Sequence, residues 1–330
     1  MKPIIASLSL IVFLISTQLN AKDWVVYDGE RGPGKGKHIV FLTGDEEYRS
    51  EEGMPMMGKI LAKQHGFKCT VLFAINPESG EIDPDNQTNL PGFELISTAD
   101  LVVIFYRFRE PSEAQMKILD DYIEAGKPII GLRTATHSFN MKRNKTSPFQ
   151  RYDFGSKSWP GGFGQQVLGD TWINHHGHHK KEATRGFISG MHQSHPILKG
   201  VNDVFGPSDV YGVRNLKRTD NVLLYGATLV GMNPTDAVKK EKSLMPIAWT
   251  RNYVGKSGNT SRVFCTTMGA SVDLLSEDLR RLLVNACYWS VGIEDQIPNR
   301  SNVDIVGDYN PTFYGFGTYQ KGIKPADHEW

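Results

Sequence analysis

The sequence predicts an α/β fold built on a mostly parallel sheet, with a long loop-rich insertion in its middle. Four short apolar runs carry the β-branched and aromatic bias of buried strands, at 38–43, 70–73, 101–106 and 127–132. Amphipathic segments with helical spacing separate some of these runs. Strand–helix alternation at this spacing requires parallel strands joined by right-handed crossovers.

Two helices are predicted between these strands. The first runs from Met54, with apolar residues at helical spacing, and stops at Gly66. The second occupies PSEAQMKILDDYIEAG, where Ser112 and Gln115 form a capping box and Gly126 ends the helix. Local start and stop signals therefore support both helices.

The second half of the chain is predicted to be less regular. The region from about 138 to 220 is rich in Gly, Pro, His and Trp and has little periodicity, which indicates an insertion lying over the sheet. Three later strands, partly antiparallel, are then predicted at 221–230, 245–253 and 262–268. A helix over 276–292, capped by Ser276, closes the core.

Three segments are distinguished along the 330-residue chain. Residues 1–21 have the features of a secretory signal peptide, since Lys2 precedes an apolar run too short to span a membrane and a cleavage site follows Ala21. Residues 37–292 form one domain, and residues 293–330 form a tail expected to pack along the surface. The mature protein is therefore expected in the periplasm or outside the cell.

The charge balance argues against two classes of partner. The chain has 37 basic and 36 acidic residues, a formal net charge of +1, and no run of like charge. We therefore expect neither a nucleic acid nor an anionic lipid surface as a partner, and no membrane span in the mature protein. The oligomeric state is not predicted.

Polar and charged residues follow three of the predicted strands. Ligands of open α/β sheets bind beyond the carboxyl ends of the strands. The residues at these ends are Asp45, Glu46, Glu47, Tyr48 and Arg49 after the first strand, Arg107 with Arg109 after the third, and Arg133, Thr134, Thr136 and His137 after the fourth. Each acid alone could be a solvated loop residue or a helix N-terminal charge. Together they predict a polar pocket, because such charges are costly to bury without a purpose.

The stretch WINHHGHHKK concentrates four histidines, His175, His176, His178 and His179. They could form a polar wall that moves protons or binds hydroxyls, or a solvated loop. They could also form a zinc site, in which His176 and His178, or His175 and His179, supply imidazoles and Glu46, Glu47 or His137 completes the shell. In an extended stretch His176 and His178 would share one side, so these two are the first choice.

Six motifs in order along the chain resemble the ThuA-like (trehalose-utilisation) family over about residues 37–292. The motifs are TGDEEYRSEE, GLRTATHSFN, FGQQVLGD with HHGHH, HPILKGV with SDVYGV, PIAWTRNY with SRVFCTTMG, and LLVNACYWSVG. The resemblance implies a flavodoxin-like, doubly wound sheet of the class I glutamine amidotransferase type. It also implies a role in carbohydrate use, including 3-keto sugar derivatives, and brings Asp209 and Tyr211 toward the cleft.

An amidotransferase of this fold places its nucleophile in a G-x-C-x-G elbow. The matching stretch here is Gly131-Leu132-Arg133-Thr134-Ala135, with arginine where the thiol would be. Thiolate attack needs a thiol, so the chain is not a glutamine amidotransferase by this route. Arg133 is instead predicted to donate to a sugar hydroxyl or an enolate-like oxygen.

The resulting hypothesis is an exported protein that acts on a small-molecule carbohydrate, a 3-keto glycoside or disaccharide, by acid–base chemistry, as a lyase, an isomerase or a hydrolase. The predicted catalytic residues are Glu46, Glu47, Arg133, His137, His176 and His178. The predicted substrate-binding residues are Asp45, Tyr48, Arg107, Thr134, His175, Asp209 and Tyr211. Trp159, Trp172 and Trp249 are candidate stacking faces for a sugar ring. No cofactor is firmly implied; the alternatives are a sugar-binding or scaffold protein without turnover, and a zinc-dependent hydrolase.

Overall fold

The computed structural model describes residues 22–330, and the predicted signal peptide lies outside them. Ten strands and three α-helices make up the regular structure of this part of the chain. The strands are β1 (Trp24–Tyr27), β2 (His38–Gly44), β3 (Lys68–Leu72), β4 (Leu101–Tyr106), β5 (Ile129–Leu132), β6 (Thr184–Ile188), β7 (Val204–Gly206), β8 (Asn221–Thr228), β9 (Met245–Val254) and β10 (Thr260–Thr266). The helices are α1 (Ser50–His65), α2 (Glu113–Glu124) and α3 (Glu277–Ser290).

The strands form one mixed sheet in the order β1-β3-β2-β4-β5-β10-β9-β8-β6-β7. The five strands from β3 to β10 in this order are mutually parallel, and β1 joins β3 as an antiparallel edge. Every residue of β4 is buried, because both faces of the parallel half are covered. The prediction of buried strands along the first half of the chain is confirmed.

The helices cover both faces of the parallel half. Residues of α1 and α3 belong to one buried cluster, and residues of α2 belong to a second cluster on the other face. The capping box of Ser112 and Gln115 is present at the start of α2. Helix α1 begins at Ser50, four residues before the predicted start at Met54, since its polar first turn carries no apolar periodicity.

The second half of the sheet is antiparallel. Strands β9 and β10 form an antiparallel pair around the turn at 255–259, as predicted. The insertion does not only lie over the sheet, because β6 and β7 extend the sheet edge beyond β8. These two strands are short and partly exposed, so they lack the apolar run that reveals a buried strand.

The C-terminal segment after α3 runs along the helical face. It contacts α3 where Arg280 donates to the Val303 carbonyl at 2.9 Å, and α1 where the Thr312 amide donates to Glu52 at 2.7 Å. Tyr314 in this segment is 1% exposed. Among residues 22–330, no helix is long and apolar enough to cross a membrane.

Candidate functional site

Asp209 lies at the centre of the site and contacts three of its other side chains. Its fully buried carboxylate lies 2.7 Å from His175 Nδ1 and 3.1 Å from His179 Nδ1, and it accepts a hydrogen bond from Arg133 Nη2 at 3.0 Å. Burial raises the pKa of this carboxyl. The hydrogen bonds from the imidazoles and the charge of Arg133 outweigh burial and hold the pKa well below its usual range.

His179 lies between two carboxylates. Its Nδ1 faces Asp209 and its Nε2 lies 3.0 Å from Glu47 Oε1. Because a carboxylate only accepts hydrogen bonds, both ring nitrogens are placed to donate. Hydrogen bonds to Asp209 and Glu47 raise the pKa of His179 to about 9. The ring is therefore held as an imidazolium in this arrangement.

His175 forms a more open pair with Asp209. Its Nδ1 donates to the carboxylate, and 35% of its side chain is exposed. Within residues 22–330 no protein group hydrogen-bonds to its Nε2. The Trp172 ring lies edge-on, 4.9 Å away between centroids. A buried acid that orients an imidazole with one free nitrogen is an arrangement suited to proton transfer.

His176 and His178, the first choices from the sequence, do not join this cluster. His176 Nε2 lies 2.9 Å from the Ser243 carbonyl, and the His178 side chain is exposed. The stretch is not extended, because the amides of His176 and Gly177 both donate to the Val210 carbonyl and bend the chain. His175 and His179 share the side of the loop that faces Asp209.

Glu46 is neutralised by two arginines. It forms ion pairs with Arg107 and with the buried Arg109. Arg107 also lies 3.6 Å from Glu47, and 18% of its side chain is exposed. Burial lowers the pKa of Arg107, but the charges of Glu46, Asp45 and Glu47 outweigh burial and raise it. Arg107 is thus a cation at the solvent boundary of the site.

Asp45 organises the loop that follows β2. Its carboxylate accepts hydrogen bonds from the amides of Glu47 and Tyr48, each at 2.7 Å, and from the Thr134 hydroxyl. Burial and the neighbouring charge of Glu46 raise the pKa of Asp45 to about 6. Asp45, Tyr48 and Thr134 are each buried and bonded within the protein. The substrate contacts predicted for these three residues do not fit this geometry.

Arg133 occupies the elbow after β5 in a left-handed conformation, with φ 46°. It is fully buried, and its amino groups donate to the carbonyls of Asp209 and Thr267 at 2.7 Å and to the Tyr48 hydroxyl at 3.1 Å. The guanidinium lies 3.7 Å from the Tyr211 ring centroid. These contacts hold Asp209 in place, and they leave no amino group for the substrate oxygen predicted as its partner.

His137 is buried at the base of the site. Burial, with the positive charges of Arg107 and Arg133, holds its pKa well below the ordinary value, so the ring is neutral. The ring lies 5.0 Å from Phe108 and 5.1 Å from Trp172 between centroids. His137 contributes to the apolar lining beside His175 and is poorly placed for the role of base predicted for it.

The contribution of the C-terminal segment to the site was not predicted, since this segment was expected only to pack along the surface. It brings Tyr314 and Phe316 to the region where Arg109, one of the charged residues predicted after the third strand, binds Glu46 and the Gly44 carbonyl. The Gly315 amide donates to the Glu47 carbonyl at 2.7 Å. The signal for this segment was only its Gly and aromatic content, which carries no periodicity and therefore no position in the fold.

A metal could be held by part of this cluster. Each of His175, His179 and Asp209 offers one ligand atom, and these atoms all lie within 4.8 Å of one another. In the part of the chain that the structure describes, this is the one group of its kind. Imidazole nitrogens and a carboxylate oxygen are the ligands that zinc uses in catalytic sites. The pair His176 and His178 offers no such group.

A mixed α/β sheet whose parallel strands end at a cluster of charged and histidine side chains defines the class of protein. A family model described as ThuA, trehalose utilisation, matches residues 38–290, and the chain belongs to this family. Membership confirms the resemblance seen in the motifs and implies a role in trehalose utilisation. No curated protein matches the chain.

Two solved structures of ThuA-like proteins are similar to this chain. One, from Parabacteroides merdae, has a TM-score of 0.50 at 13% identity, covering 86% of this chain and 98% of the other. The second, from Bacteroides uniformis, has a TM-score of 0.46 at 15% identity, covering 80% of this chain and 94% of the other. At these identities the likeness concerns the fold alone.

Proposed function

We propose that the protein acts by acid–base chemistry on a sugar, a 3-keto glycoside or disaccharide. The observation that carries this proposal is the Asp209–His175 pair, in which a buried carboxylate orients a partly exposed imidazole whose Nε2 has no protein partner among residues 22–330. The family description, trehalose utilisation, supports a carbohydrate as the substrate. A carbon beside a ketone is acidic enough for an imidazole to deprotonate when the enolate oxygen is stabilised.

The proposed reaction is an elimination in two steps. His175 Nε2 takes the proton from the carbon beside the ketone, and the C–H electrons form the enolate. Arg107, the cation exposed at the site, stabilises the enolate oxygen in place of the buried Arg133. The enolate then expels the glycosidic oxygen, which takes back the proton from His175. Asp209 stabilises the imidazolium between the two steps, as its carboxylate accepts from Nδ1.

The test uses two histidines from the same loop. We expect His175→Ala to lower kcat/KM on a 3-keto disaccharide by about 10²–10⁴-fold, the range for loss of a general base. His176→Ala is the matched control, because its ring bonds to the Ser243 carbonyl outside the cluster. Equal turnover by the two variants would contradict the role of His175. Saturable sugar binding without turnover by the wild type would instead support the non-catalytic sugar-binding alternative.

A zinc-dependent hydrolase is the second candidate, favoured by the spacing of His175, His179 and Asp209. Three protein ligands would leave one position on zinc for a water molecule, which the metal activates. Metal analysis of the purified protein decides this candidate. If this candidate is correct, the protein carries about one equivalent of zinc, which is lost in His179→Ala and kept in His178→Ala. Less than about a tenth of an equivalent in the wild type would remove the candidate.

We also propose that the protein is exported and that its parallel half is a flavodoxin-like, doubly wound unit. The features of residues 1–21 support export. The spatial order β3-β2-β4-β5-β10, with helices on both faces, supports the doubly wound arrangement. N-terminal sequencing of the mature protein tests export, and we expect a start at or within a residue or two of Lys22. An intact Met1 in the mature protein would contradict it.

A further inference from the structure

A series of planar side chains lies around the opening to His175. On the inner side, Trp172 lies 4.9 Å from His175 and 5.1 Å from His137 between ring centroids. His137 in turn lies 5.0 Å from Phe108. Trp172 is half-buried and contacts the proposed base directly. Trp172 is therefore the aromatic neighbour of the proposed base on the inner side.

The outer side of the opening comes from the C-terminal segment. The Arg107 guanidinium lies 4.6 Å from the Phe108 ring centroid and 4.9 Å from that of Phe316. Two residues before Phe316, the Tyr314 ring lies 5.5 Å from His179, whose ring is 4.6 Å from His175. Together these ring contacts surround the exposed side of His175. We call the set the aromatic rim, and it consists of Trp172, His137, Phe108, Phe316, Tyr314 and His179.

Phe316 is the member of the rim whose ring is most open to solvent. Phe316 is 56% exposed, whereas Tyr314 is 1% exposed. The backbone between them is fixed, because the Gly315 amide donates to the Glu47 carbonyl and the Gly315 carbonyl accepts from the Arg49 guanidinium. Gly315 has φ 155°, and a Cβ there would lie 2.7 Å from Lys180 Nζ. Phe316 is therefore an exposed ring on a fixed backbone at the edge of a polar site.

We propose that Phe316 is a binding platform for the outer sugar unit of a disaccharide or glycoside. This inference rests on the proposed carbohydrate function. A pyranose ring has a face of C–H groups that packs on an aromatic ring, while its hydroxyls bind polar groups nearby. Arg107, the proposed partner of the enolate oxygen on the inner unit, lies 4.9 Å from the Phe316 ring centroid, so Phe316 is adjacent to the position of the inner unit. The inner unit contacts Trp172 and His175, and the outer unit contacts Phe316, so the C-terminal segment favours disaccharides over monosaccharides.

The experiment compares binding of trehalose and glucose by calorimetry. We expect Phe316→Ala to weaken trehalose binding by about tenfold, the upper range for one aromatic contact, and to leave glucose binding unchanged. Phe316→Tyr keeps the ring and restores trehalose binding. The matched control is Phe187→Ala, since Phe187 is 44% exposed on β6 and outside the rim. This control should bind both sugars like the wild type.

Three outcomes would overturn the inference, and they are distinguishable. Unchanged trehalose binding by Phe316→Ala removes the platform but leaves the proposed function intact. Equal weakening of trehalose and glucose places Phe316 at the inner unit and removes the assignment to the outer one. Absence of saturable binding of either sugar by the wild-type protein removes the platform as proposed, whereas the proposed function is contradicted separately, by equal turnover of the 3-keto disaccharide in His175→Ala and His176→Ala.

Discussion

Two sides of the site, called here the buried wall and the open wall, differ in how far their charged groups are exposed to solvent. The buried wall, formed by Asp45, Thr134 and Arg133, is closed to solvent and bonded almost entirely within the protein. The open wall, formed by Arg107 and His175, retains partial exposure and, at His175, a ring nitrogen without a protein partner among residues 22–330. Both walls bear charged or ionisable groups, but only the open wall can contact a ligand.

The difference between the walls follows from the free energy of burying charge. A buried ion needs several hydrogen bonds to offset its lost hydration, and those bonds use up its donors or acceptors. The amino groups of Arg133 show this, because they are occupied by Asp209, Thr267 and Tyr48, although the buried Nε has no hydrogen-bond partner among residues 22–330. Arg133 holds the Asp209 carboxylate in place, and this carboxylate orients the His175 ring. A charged residue at a strand end therefore indicates a site without indicating which residue contacts the substrate.

The largest expected effect is a difference in the free energy of unfolding between a variant of the buried wall and a variant of the open wall. Arg133→Met removes the buried partner of Asp209, so we expect the free energy of unfolding to fall by about 3–5 kcal/mol. Arg107→Met removes a partly exposed guanidinium, and Glu46 keeps its ion pair with Arg109, so a loss of only about 1 kcal/mol is expected. Urea denaturation of the two variants measures both values. Similar decreases in the free energy of unfolding for the two variants would show that the buried and open walls do not differ in this way.

The distinction between the walls also shows which features the sequence could predict. The parallel strands and the capping box of Ser112 are encoded by local apolar runs and local caps, and both were predicted correctly. The carboxyl ends of these strands also bring Asp45 into contact with Thr134, beside Arg133. Exposure was not predictable from these signals, since it depends on which distant segments cover each side chain.

The orientation of the histidines and the position of Phe316 depend on contacts between residues distant in sequence. The choice between His175 and His176 depends on the bend produced when two amides donate to the Val210 carbonyl, a contact about 35 residues away in sequence. Phe316 lies at the site where Glu47 and Arg49 bind the backbone of the neighbouring Gly315. Neither contact has a periodic or compositional signal, so no local pattern could have predicted them.

A second prediction extends the buried wall into the first turn of α1. Glu51 is buried, its carboxylate has no hydrogen-bond partner among residues 22–330, and burial raises its pKa to about 8. The folded state therefore binds the Glu51 proton more tightly than the unfolded state, where the pKa is near 4.5. The resulting stability is present below about pH 4.5 and is lost as the pH rises through about 8.

Glu51→Gln mimics the protonated carboxyl at every pH. We expect the variant to be closest to the wild type near about pH 5 and its stability advantage to grow by on the order of 4 kcal/mol by about pH 8.5, since one pKa unit is worth about 1.4 kcal/mol. Thermal denaturation across this range measures the difference. Glu78→Gln, at an exposed position, is the control and should follow the wild type throughout. A constant offset between Glu51→Gln and the wild type would show that ionisation of Glu51 is not the cause.

The smallest expected effect concerns one hydrogen bond within the buried wall. Thr134→Val removes the hydroxyl that donates to Asp45, while the amides of Glu47 and Tyr48 still donate to the same carboxylate. Losing a donor to the charged form raises the pKa of Asp45 further above about 6, by less than about one unit. Carboxyl-carbon NMR titration measures this shift. Thr136→Val in the same turn is the control, because its hydroxyl contacts His137 rather than Asp45. An unchanged or lowered pKa in Thr134→Val would mean that the Thr134 hydroxyl does not stabilise the Asp45 carboxylate.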